Sequence, residues 1–167
     1  MPLRSRGESP VDKLLQVAEP REVGSAHGGI PNRALGGALG PYALQAAIAA
    51  CHARARTAAD TDWARIAALY DALAQLMPSP VVELNRAVAV GMAFGPAAGL
   101  ELVDALVSEP ALKTYHFLPS ARGDLLEKLG RSDEARAEFE RAASLTQNAR
   151  ERDLLLARAA ACVRPMN

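Results

Sequence analysis

At 167 residues, with 50% hydrophobic but only 4% aromatic residues, the chain can bury one sizeable core, and its alanine-rich content suits close-packed helices rather than a β-sandwich or barrel. Its 19 basic and 19 acidic residues cancel, which leaves no global basic field for non-specific binding of nucleic acid. No apolar run approaches the roughly 18–20 residues that span a bilayer. The N-terminus lacks a signal-peptide core as well, so a cytoplasmic location is expected, with Cys51 and Cys162 as buried, reduced thiols.

Along the chain, residues 1–8 are polar and read as a frayed end. Ser9-Pro10 offers an N-cap and a first-turn proline to a short amphipathic helix near 10–19, with Val11–Ala18 as its body and Pro20 as its stop. Gly28-Gly29, Pro31 and Gly36-Gly37 then predict an irregular linker up to residue 39. Nothing there has the GxxxxGK[ST] or strand-GxGxxG context of a phosphate cradle. Helices are expected over about Pro41–Ala58, Trp63–Leu76, Val81–Ala93, Ala97–Val107, Ala111–Leu129, Asp133–Leu145 and Ala149–Val163. Asp60-Thr61-Asp62 and Ser132 serve as caps, Gly130 ends a helix, and Pro119 marks a kink or a false start.

The helices repeat. Leu44-Gln45-Ala46-Ala47-Ile48-Ala49 matches Leu84-Asn85-Arg86-Ala87-Val88-Ala89 in residue type, position by position. Gly123, Leu126, Gly130, Ala135, Phe139 and Ala142 follow the tetratricopeptide pattern, in which a small residue on one helix receives a bulky one from the next. Asn85 and Ser120 stand 35 residues apart, close to the tetratricopeptide step of about 34. Gln45 and Asn85 stand 40 apart, and the surplus falls in the Thr57–Asp62 loop. Tyr70 and Phe139 then share one second-helix position, with Val103 or Asp104 between them. The expected fold is all-α: antiparallel helix pairs stacked as about three tetratricopeptide-like repeats, plus a C-terminal capping helix, over residues 40–163.

Several blocks carry a more specific resemblance. They are Gly40-Pro41-Tyr42-Ala43-Leu44-Gln45 and its continuation to Ala53, Asp60-Thr61-Asp62-Trp63, Leu69-Tyr70-Asp71-Ala72-Leu73, Pro78-Ser79-Pro80-Val81-Val82-Glu83-Leu84-Asn85 onward to Val90, and Leu129-Gly130-Arg131-Ser132-Asp133-Glu134 onward to Ala142. Together they resemble the C-terminal, tetratricopeptide-like extension of bacterial extracytoplasmic-function (ECF) RNA polymerase sigma factors, over about residues 34–163. The resemblance implies a regulatory, non-enzymatic role in transcription initiation, with core RNA polymerase or sigma regions 2 and 4 as partners. This chain contains neither sigma region 2 nor region 4, and residues 1–33 do not look like the family. Direct DNA binding by it is therefore not expected.

First helices of tetratricopeptide pairs line a concave groove. The candidate groove residues are Tyr42, Gln45, His52, Asn85, Arg86, Ser120 and Asp124. In the 35-residue alignment Gln45, Asn85 and Ser120 share one position, and His52, Met92 and Glu127 another. The competing reading has Gln45 and Asn85 bonding within the domain through Arg86 or Asp62, and Arg86 half buried against a carboxylate. No cofactor or metal is expected, because His27, His52 and His116 lie in separate segments without ligand spacing. Ser79 and Ser120 have no partnered base, and Asp60 and Asp62 fit a helix start. A stand-alone helical scaffold or a homodimerising module is the alternative to the transcription role.

Overall fold

The computed structural model describes residues 40–162. The short helix expected near 10–19, the linker over 20–39, His27 and Val163 lie outside the described residues. Among those described there are seven α-helices and no strand: α1 Pro41–Arg54, α2 Trp63–Leu76, α3 Pro80–Phe94, α4 Pro96–Leu106, α5 Phe117–Lys128, α6 Ser132–Leu145 and α7 Ala149–Ala161. Each helix packs against the next in sequence, and α3 also touches α5. No helix among the described residues is long and apolar enough to cross a membrane.

Proline and polar caps set most helix starts. Pro41, Pro80 and Pro96 occupy first-turn positions, where their missing N–H would have had no partner anyway. The Asp62 carboxylate accepts the Arg65 N–H at 3.0 Å, and Asn148 Oδ1 accepts the N–H groups of Arg150 and Glu151. A single residue, Gly95, both ends α3 and starts α4. Its φ of 105° is open to glycine and strained for other residues.

Two expected helices are shorter than their sequence suggested. α1 ends at Arg54 rather than Ala58, because Ala55 turns to extended backbone. Thr57 then donates through Oγ1 to Asp60 Oδ2 at 2.9 Å in a local turn that competes with helix. The stretch Ala111–Leu129 is not one helix. A 3₁₀ turn, Pro110–Leu112, comes first, and α5 starts only at Phe117. Pro119 cannot continue a helix from upstream without clashing with the preceding turn, so it sits in the first turn of α5 instead.

The repeat step is 36 residues rather than 35 between the second and third pairs. Arg86 Nη1 bonds Asp71 Oδ1 of α2 at 2.8 Å, and Arg122 Nε bonds Asp104 Oδ1 of α4 at 2.7 Å. Each arginine reaches from a first helix to the helix before it. The same step pairs Ala87 with Gly123 and Val103 with Phe139, all buried. Tyr70, Val103 and Phe139 are thus the large side chains of the three second helices, and Val103 rather than Asp104 is the middle member. In the third pair Phe139 fills the space beside Gly123, where an added Cβ would meet Cε1 at 2.7 Å. In the second pair the close approach is between backbones: a Cβ on Gly99 would stand 2.7 Å from Gly91 Cα and 2.9 Å from the Ala87 carbonyl oxygen.

Two apolar cores result. The first joins Leu44, Ile48 and Cys51 of α1 to Trp63, Ile66, Ala67, Tyr70 and Leu73 of α2, with Ala89 of α3. The second runs from Leu84, Ala87 and Val88 of α3 through α4, α5 and α6 to Leu155 and Ala159 of α7. α3 therefore has apolar side chains on opposite faces, and its alanines Ala87 and Ala89, one in each core, let neighbouring helices approach closely.

Candidate protein-interaction surface

The seven candidate groove residues do not converge on one groove. Tyr42 is 80% exposed at the start of α1, and Gln45, half-buried one turn on, has no side-chain partner among the described residues. His52 packs edge-on against the Trp63 ring, with centroids 5.4 Å apart, so its ring belongs to the α1–α2 seam.

Asn85 is buried, 3% exposed, and its Oδ1 accepts no hydrogen bond among the described residues. Neither bridge named for it forms: Arg86 is engaged by Asp71 and Glu83, and Asp62 caps α2. Arg86 is half-buried against carboxylates, as its lone position on an apolar helix suggested. With the 36-residue step, the α5 equivalent of Asn85 is Ala121, a buried residue, rather than Ser120.

Ser120 and Asp124 are corrections to the groove. Ser120 is 1% exposed, and its hydroxyl donates to the His116 carbonyl at 2.9 Å, leaving nothing to offer a partner. Asp124 is also buried. It accepts from Arg158 Nη2 of α7 at 2.8 Å and pairs with Lys128 at 2.7 Å. Their polar types suit a surface only if α5 forms one wall of an open groove. In fact α5 is flanked by α3, α4 and α6 and held to α7 by Arg158, so most of its circumference is covered.

Two arginines carry contacts that sequence reasoning missed. Arg122 bridges Asp104 of α4 and Glu138 of α6, the latter at 2.8 Å. Burial works against its charge, yet the hydrogen bonds and charges of the two carboxylates hold the guanidinium above its ordinary range. Arg158 lies over the Phe139 ring, 4.3 Å from the centroid, and also binds Glu127. Its charge is held in the same way against burial, here by Asp124 and Glu127. The signal was available, since Arg86, Arg122 and Arg158 recur every 36 residues.

Among the described residues no group of three or more His, Cys, Asp or Glu side chains is placed to hold a metal ion. His116 Nε2 lies 3.1 Å from Glu151 Oε2, which also accepts the Thr146 hydroxyl at 2.6 Å. The start of α5 and the start of α7 thus lie side by side here, although Nε2 makes no hydrogen bond among the described residues. Among the described residues, Tyr42, Ala43, Ala46, Ala49 and Ala53 are exposed along the length of α1, with no charge among them.

A similar protein is found in Rhizobium meliloti (strain 1021), an uncharacterized protein 53% identical over 112 residues. The matched stretch is 67% of this chain and 26% of the relative. The chain thus spans about a quarter of the length of the curated relative it matches. No family model matches, and no solved structure does.

Proposed function

We propose that this helical array is the C-terminal regulatory and protein-interaction part of an ECF-type RNA polymerase sigma factor, acting in the cytoplasm without catalysis of its own. The observation that carries the reading is the sequence resemblance of the Gly40–Ala53 and Pro78–Val90 blocks. In the fold these blocks form α1 and, from Pro80 onward, most of α3, and both helices begin on a proline after a non-helical cap. The relative from Rhizobium meliloti supports it further, because there the matched stretch is a minor part of a longer polypeptide. Such a partition fits an extension attached to other regions. With balanced charge, and with Arg86, Arg122 and Arg158 held by carboxylates of the chain itself, the array offers phosphates no net positive charge, so its partners are proteins rather than DNA.

The test is binding of the full chain to core RNA polymerase and, separately, to sigma regions 2 and 4 of an ECF factor. Saturable binding to either, with no gel shift of promoter DNA at physiological salt, supports the reading. Binding to neither overturns it in favour of a helical scaffold without a transcription role.

A further inference from the structure

α1 has apolar residues on two opposite faces, with Gln45, His52 and Arg54 outside them, a pattern that belongs to a helix covered on more than one face. Leu44, Ile48 and Cys51 form the stripe buried against α2. Tyr42, Ala46, Ala49 and Ala53 form a second stripe at i, i+4, i+7 and i+11, and all four are exposed. The repeat says what this stripe is for. With Gln45 aligned to Asn85, the four residues correspond to Val82, Arg86, Ala89 and Ala93 of α3. Those are the residues α3 turns toward the helix before it. Ala89 is fully buried in the first core, Val82 and Ala93 pack against that core, and Arg86 holds Asp71 of α2. α1 thus exposes the surface on which α3 receives an antiparallel neighbour.

The chemistry of the missing neighbour follows from the one difference. Where α3 has Arg86, α1 has Ala46, so the covering helix needs no carboxylate in the place of Asp71. The 39 residues before Gly40 contain one segment of that kind. Val11, Leu14, Leu15 and Ala18 recur at i, i+3, i+4 and i+7, with Asp12, Lys13, Gln16 and the apolar Val17 at the remaining positions. As a helix, eight residues would extend about 12 Å. The chain between Ala18 and Gly40 could reach several times that distance at about 3.3 Å per extended residue. The connection from α2 to α3 needs only Met77, Pro78 and Ser79.

We propose that residues 11–18 of this chain dock as a helix on the Tyr42–Ala46–Ala49–Ala53 face of α1, taking the place that α2 takes on α3. The docking does not depend on any role in transcription. Amide exchange on the full chain tests it, beside a free peptide of residues 11–18 and the variants A46R and A49R. In the native chain, residues 11–18 exchange at least about tenfold more slowly than in the peptide. Each arginine returns them to the peptide rate while the melting temperature of the helical array stays unchanged, since both alanines are exposed. Should A46R lower the melting temperature, A49R decides alone. Three outcomes overturn the proposal: peptide-like exchange in the native chain, protection that survives the arginines, or protection that rises with protein concentration together with a dimer in sedimentation. The last would give the face to a second copy of the chain.

Discussion

Phe139 occupies the volume that any side chain on Gly123 would claim, with its Cε1 2.7 Å from where a Cβ would stand. The neighbouring glycine contact, Gly91 against Gly99, is backbone on backbone. The two therefore respond differently to one added methyl group. A phenyl ring can tilt by a few tenths of an ångström, whereas helix backbones must separate.

Gly123→Ala is expected to cost about 1–3 kcal/mol from overpacking, offset by up to about 1 kcal/mol of helix propensity. Gly99→Ala should cost more, because α3 and α4 have no soft side chain to yield. Phe139→Ala, which opens a cavity at a fully buried site, should cost about 3–5 kcal/mol. Urea melts of the three variants check the order; Gly99→Ala milder than Gly123→Ala would contradict the geometry.

Arg86 and Arg122 hold equivalent rungs but unequal partners. Asp71 is 53% exposed, so Arg86→Ala should lose only about 0–1 kcal/mol. Arg122 also holds Glu138, whose side chain is 14% exposed and whose Oε2 has no hydrogen-bond partner among the described residues. Removing it strands a largely buried carboxylate, and about 1–3 kcal/mol of loss is expected. Pairing Arg122→Ala with Glu138→Gln in a double-mutant cycle should return part of that loss. Equal costs for Arg86→Ala and Arg122→Ala would show that the second carboxylate contributes nothing.

The helices were legible in the sequence because proline and glycine punctuate them: Pro41, Pro80, Pro96 and Gly130 stand where helices start or stop. The register of the repeat was legible only in part. Matching amide and hydroxyl side chains paired Asn85 with Ser120, but what fixes the step is contact between helices, and this runs through Arg86, Arg122 and the Ala87–Gly123 position. The candidate site was the least legible. Ser120 and Asp124 are polar by type, yet their exposure depends on how many helices surround α5, and α7 covers a face that the sequence reading left open. Arg158 supplies the countercharge that lets Asp124 be buried, 34 residues away along the chain.

Tyr70 gives a pH signature. The residue is 1% exposed, its hydroxyl has no hydrogen-bond partner among the described residues, and burial pushes its pKa up to about 12 from 10.0. The unfolded tyrosine loses its proton near the ordinary value while the folded one keeps it. Stability is thus intact below about pH 10 and falls as pH rises toward 12, by about 2–3 kcal/mol in all. Tyr70→Phe removes this alkaline loss and leaves stability at neutral pH unchanged or slightly higher, since no hydrogen bond is broken. Denaturant melts of both proteins between about pH 8 and 12 should diverge only above about pH 10. Parallel curves would mean that the hydroxyl is solvated in solution.

Asn85 discriminates between a buried polar group that is bonded and one that is stranded. An asparagine tying two helices together would lose about 1–3 kcal/mol on truncation, because its partner would be left unmatched. Here Oδ1 is buried and accepts nothing among the described residues. Asn85→Ala should therefore leave the melting temperature unchanged or raise it, the cost of the small cavity being met by the removal of an unsatisfied carbonyl and by the helix propensity of alanine. Gln45→Ala should also be silent in a melt, because the half-buried Gln45 has no side-chain partner among the described residues. If either residue serves a partner, it is Gln45, beside Tyr42 on α1. The pair of variants then separates the two in a binding assay against core polymerase or sigma regions, where loss with Gln45→Ala and none with Asn85→Ala is the expected result. A melting temperature lowered by Asn85→Ala would place a hydrogen bond at Oδ1 and restore the internal-bridge reading for that residue.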